Sequence, residues 1–85
     1  MGALDASKAV LWARDLPDNA IEFELARFTA LEIDVLREAA KEDSTLAEQA
    51  QVGECALVLA ILREELRRRS EARLHRFVRL LERRL

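Results

Sequence analysis

Apolar positions recur along this chain at intervals of three and four, in three stretches separated by two breaks. That period is the signature of helices that bury one face. In the first stretch Leu4, Val10, Leu11 and Leu16 form a short apolar face with Trp12 beside it. Asp5 or Ser7 is placed to cap its start, and Pro17 ends it, so a helix is expected over about 4–16. PDN at 17–19 is the clearest turn signal in the chain.

The second stretch, NAIEFELARFTALEIDVLREAAKED, has two local readings. IEFEL and LEIDV each alternate as strands do, but the ARFTA between them offers no Gly, Asn, Asp or Pro to turn a hairpin. The helical template places Ile21, Leu25, Phe28, Leu31, Val35, Leu36 and Ala39 on one broad arc, so a helix is expected over about 20–41. Asn19 and Glu22 have the spacing of a capping box. Phe23 falls on the polar face, and Glu32 sits inside the apolar arc between Phe28 and Val35. Glu32 is then either the edge of a slightly rotated helix or a carboxylate within an interface. The second case requires an arginine partner, because an unpaired buried charge is very unfavourable.

KEDST at 41–45 is the second break, and Thr45 with Glu48 again has capping-box spacing. From there onward there is no Pro and one Gly, so 45–85 is expected as a single helix roughly 60 Å long, or as two helices hinged near Ser70. Gly53 costs some helicity, or its lack of a side chain instead admits a closely packed neighbour. Cys55, Leu59, Leu62, Leu66, Ser70, Leu74, Phe77, Leu81 and Leu85 succeed one another as an almost unbroken seam. Around 55–62 the helix is apolar on every side, which predicts the centre of a bundle. Beyond it Leu74, Phe77, Val78, Leu81 and Leu85 would stand exposed in a monomer, the mark of an association surface. Arg68, Arg76, Arg79 and Arg83 lie opposite the seam as a basic face.

Composition supports this architecture. Ala, Leu, Glu and Arg dominate and aromatics are 5%, as in long-helix and coiled-coil proteins. Eighty-five residues make one small domain whose core is only marginally adequate. No basic-then-apolar leader opens the chain, and its longest apolar run, CALVLAIL, is too short to span a bilayer, so a cytoplasmic protein without a transmembrane segment is expected. The net charge of −2 conceals a division: residues 1–54 hold twelve acids against five bases, and residues 55–85 hold four against nine. Such asymmetry favours head-to-tail or antiparallel pairing, or an acidic partner for the basic end.

Candidate chemistry is sparse. The one His, His75, has no neighbouring base, and Ala72 stands where a Glu-x-x-His metal motif needs its Glu. A lone cysteine, Cys55, excludes an intramolecular disulfide and a cysteine-based zinc site. Asp34 and Glu38 share a face with Arg37 and Lys41 nearby, as on a solvated surface. No enzyme, metal or cofactor is expected. The arginines have four uses open to them: ion pairs such as Glu64–Arg68 and Glu65–Arg69, docking on an acidic helix, phosphate binding, and an anionic membrane surface.

The sequence thus predicts an all-α bundle of three helices, or four with the hinge, completed by oligomerisation. The expected function is a non-enzymatic protein–protein interaction module of the adaptor, chaperone-like or inhibitor kind. Its contact would be the seam Leu59, Leu62, Leu66, Leu74, Phe77, Leu81 and Leu85, made with a second copy in a homodimer or with a partner protein. The alternative is a nucleic-acid-binding regulator using Arg68, Arg76, Arg79 and Arg83. No motif selects a family.

Overall fold

A computed structural model describes residues 5–85 as three α-helices: α1 (Ala6–Asp15), α2 (Asp18–Ala39) and α3 (Leu46–Arg84). The fold is all-α with a long last helix, as the periodicity predicts. In α2 the helical period overrides the local alternation: Ile21 and Val35 are buried, and Leu25 and Phe28 are half-buried on the same side. The expected start of the first helix, at residue 4, lies outside the described residues.

Each boundary has a local cause. The Asp5 carboxylate accepts from the backbone N–H groups of Ser7 and Lys8, capping α1. Leu16 is extended (φ −70°, ψ 135°) because Pro17 excludes the helical region for the residue before it. The expected Asn19–Glu22 box does not form. Pro17 itself occupies the N-cap position, its carbonyl accepting from Ala20 and Ile21, so α2 begins at Asp18 and Asn19 already lies within the first turn. Asp18 is then the acid at the positive end of the helix dipole. At α3 the Thr45 hydroxyl accepts from the Glu48 N–H, the expected cap.

α3 is the spine, and α1 and α2 pack on its first two-thirds. The core is small: Ala9, Ala13, Ile21, Val35, Cys55, Val58, Leu59 and Leu62 are buried, and of the large side chains only Ile21, Leu59 and Leu62 are fully enclosed. The segment 55–62 is not surrounded as expected. Two neighbouring helices cover one side of it, and Ala56, Leu57 and Ala60 remain exposed. The molecule measures 64 × 23 × 15 Å, with a radius of gyration of 17.3 Å. A compact chain of this length would have about 12 Å.

The helix runs through Ser70 without a hinge. Arg67 bridges Glu64 and Glu71 on consecutive turns, so one guanidinium spans the site where a break would fall. Of the two readings of Gly53 the packing one falls: a Cβ there would meet nothing within 4 Å among the described residues, so no neighbour uses the space. It is an exposed helical glycine whose conformational freedom only weakens α3. Gly53→Ala should therefore stabilise the fold by about 0.5–1 kcal/mol. For a chain of this size that is a rise of roughly 3–6 °C in thermal midpoint by circular dichroism. A fall in midpoint would mean that something does pack against this position.

Candidate interaction surface

The seam read from the sequence divides into two parts. Leu59 and Leu62 are fully buried against α1 and α2, and Leu66 is half-buried at the edge of the same core. Leu74, Phe77, Leu81 and Leu85 are exposed, together with Val78 and Leu80. The reason is length. Asp18, in the first turn of α2, meets Arg69 and lies 4.0 Å from Arg73, so the α1–α2 corner stands level with those residues. Every residue from 71 to 85 is exposed.

The arginines divide in the same way. Arg76, Arg79 and Arg83 gather around Leu80 on the projecting end, and among the described residues none of the three has a carboxylate within 4 Å. Arg68 does not join them. Its guanidinium engages Glu65 at 2.7 and 3.1 Å, beside the residues where α1 meets α3.

Glu65 is the one buried charge of the described residues, 5% exposed. Arg69 donates to its carboxylate through Nε at 2.9 Å, and with the rest of its guanidinium reaches Asp18 at 3.0 Å and the carbonyls of Ala13 and Arg14 at 3.1 Å each. Those two carbonyls lie in the last turn of α1, where a helix leaves its acceptors short of donors, although the Ala13 oxygen also accepts from the Leu16 N–H. One side chain thus closes α1, holds the first turn of α2 and neutralises the buried acid of α3. Hydrogen bonds from Arg68, followed by those from Arg69, outweigh burial and hold the Glu65 carboxyl down at about 2. Both guanidinium groups are pushed up in turn by the hydrogen bonds to Glu65.

The buried carboxylate is therefore Glu65 and not Glu32. Glu32 is half-buried and has no arginine against it among the described residues. It acts instead on Cys55, whose thiol is pushed up chiefly by burial and secondly by the Glu32 charge. The Cys55 thiol donates to the Phe28 carbonyl oxygen at 3.5 Å. A signal for Glu65 was present, since it follows Val58 by seven residues and Leu62 by three on the apolar side of α3.

A feature the periodicity did not announce is an apolar groove of about 300 Å³ between α2 and α3. Phe28, Leu31, Val35, Cys55 and Val58 form its walls, with Gln51 and Glu54 at the rim. His75 is exposed on the projecting end, and no three His, Cys, Asp or Glu residues converge as metal ligands among the described residues. Nor is any helix among them long and apolar enough to cross a membrane.

The ion cluster makes a proton-linked prediction. Glu65 ionises at about 2 in the folded protein against 4.5 ordinarily, so its contribution is complete above pH 4.5 and is lost as the pH falls toward 2. Urea titrations at pH 7, 4.5 and 2.5 should show that loss in the parent, and a shallower one in Glu65→Gln. Arg69→Met should destabilise by about 1–3 kcal/mol at pH 7, because it removes one of the two arginines on a buried carboxylate and a side-chain donor to two helix-end carbonyls, while Arg68 and the Leu16 N–H stay in place. Equal acid slopes for parent and Glu65→Gln would remove Glu65 as the linked group.

No protein-family model matches the chain, and no curated protein or solved structure is a significant match to it.

Proposed function

We propose that the protein is a non-enzymatic interaction module that associates through the projecting end of α3, coiled against a helix of another chain. The observation that carries this reading is the exposure of Leu74, Phe77, Val78, Leu81 and Leu85 on a helix that has outrun both of its neighbours. Leu74, Val78, Leu81 and Leu85 are spaced four, three and four apart, the heptad spacing of a helix–helix contact. Arg76, Arg79 and Arg83 fall outside that stripe, where charge sets the choice and orientation of the partner rather than opposing the contact. The sparse catalytic chemistry of the sequence agrees with a binding role.

Light scattering over a concentration series tests the reading. The parent chain should exceed its 9.7 kDa monomer mass and keep most of that excess at about 0.5 M salt, where charge attraction is largely screened but apolar burial is not. Leu74→Asp with Leu81→Asp should weaken association at least tenfold and leave the helical signal intact, since both side chains are exposed. If that pair leaves the association constant unchanged, the projecting stripe is not the contact.

One observation favours a second reading. The unpaired cluster Arg76, Arg79 and Arg83 has the spacing to meet phosphates along a nucleic-acid backbone. If it does so, Arg76→Glu with Arg79→Glu abolishes binding to a duplex in a polarisation assay without changing the oligomer. Each lost phosphate contact should lower the logarithmic salt slope by about 0.9. Duplex binding equal in parent and variant would discard this reading.

A further inference from the structure

The groove between α2 and α3 is the unfilled remainder of the trough in which α1 lies. Trp12 of α1 meets the Phe28 ring edge-on at 6.2 Å, and Ala13 packs with Ile21, Val58 and Leu62. Phe28 and Val58 also form one end of the groove, so it opens where the cover from α1 stops. α1 has 10 residues and α2 has 22, or about 15 and 33 Å of helix, which among the described residues leaves roughly 18 Å of trough without a third helix. The apolar stripe on the projecting end occupies residues 74–85, also about 18 Å.

Charge matches as length does. Residues 31–58, which hold most of the groove and its surroundings, contain seven acids and two bases, a balance of −5. Both of those bases, Arg37 and Lys41, already face Asp34 and Glu38. Residues 71–85 contain five arginines and two glutamates, a balance of +3, and Glu71 is engaged by Arg67. Two projecting ends laid together would set +3 against +3, whereas an end laid in the groove sets +3 against −5. Within one molecule the two lie toward opposite ends of a 64 Å rod on an unbroken helix, so the projecting end cannot reach the groove of its own chain.

We infer that the groove lined by Phe28, Leu31, Val35 and Val58 receives the projecting end of α3 from a second copy of the chain, head to tail. The inference rests on the reading of that end as the contact and adds the surface it meets. The contact is heterologous, so each copy that donates its end still offers an open groove. Assembly then grows with concentration into chains, or closes as a ring if the rotation between copies allows.

Two variants and their mixture test this. Val78→Asp with Leu81→Asp disables the end, and Leu31→Arg with Glu54→Arg disables the groove. Leu31 is 42% exposed, so the second variant should fold, and its helical signal confirms it. In light scattering the parent should grow past a dimer, and each variant alone should stay at 9.7 kDa. Mixed in equal amounts they should form a dimer that grows no further, because one intact end and one intact groove remain. Growth of the groove variant like the parent, with the end variant monomeric, overturns this inference and leaves the proposed contact standing. Growth of both variants overturns the contact as well. A parent chain monomeric at about 1 mM, the weak limit of specific association, overturns the head-to-tail assembly outright. Should the double groove variant unfold, Glu54→Arg alone should weaken assembly about tenfold, and an unchanged affinity would count against the groove.

Discussion

The fold depends on where Arg69 can place its guanidinium. Three helices with so few enclosed side chains do not lock one another by packing alone, since only Ile21, Leu59 and Leu62 among the large residues are fully removed from water. Arg69 supplies the orientation that packing leaves open. It joins the end of α1, the start of α2 and the middle of α3 through directional bonds, with Glu65 beneath it as the fixed anion. A lysine would carry the charge but not the planar set of donors that reaches three elements at once. A buried ion pair rarely adds more stability than an apolar pair of equal size, so its role here is to fix geometry. The tight corner at Leu16 and Pro17 leaves the α1 carbonyls and the Asp18 carboxylate close enough for one side chain to satisfy them together.

That anchor decides what the rest of α3 can be. Helix nucleation is the unfavourable step, and a segment of fifteen residues alone in water is marginal. Residues 71–85 are not alone, because they continue a helix whose earlier turns are held by Glu65, Arg69 and the core. The Glu64–Arg67–Glu71 bridge carries helical order past Arg69. The projecting end is consequently helical before it meets anything.

Helix number, helix type and the long third element were legible from periodicity, because the 3.6-residue pattern persists through IEFEL and LEIDV despite their alternation. The exposure of Leu74, Phe77, Leu81 and Leu85 followed from the arithmetic of helix lengths. The points that were not legible depend on how elements meet. Asn19 lost its capping role because Pro17 shifted the helix start by two residues, and a capping motif is identical on paper in either frame. Glu65 appeared as half of an ordinary surface pair, since an i, i+4 spacing does not report which neighbour lies over it. Glu32 looked the better buried carboxylate because it interrupts an apolar arc, yet the interrupted arc faces the open groove and not a closed core. That groove has no sequence signature, being the difference in length between two helices.

A partner helix would act on a scaffold that is already arranged. Coupled folding and binding gives up part of its interaction energy to ordering, and here the ordering of the α3 end has been done by the anchored turns before it. Burial of Phe28 and Leu31 by an incoming helix would also extend a core that is small for its chain. Any contact made only by the folded state raises its apparent stability by mass action. For a chain that associates as proposed, association and folding would in that way be one equilibrium. The exposed stripe would then be not surplus to the core but a part of it that the partner closes.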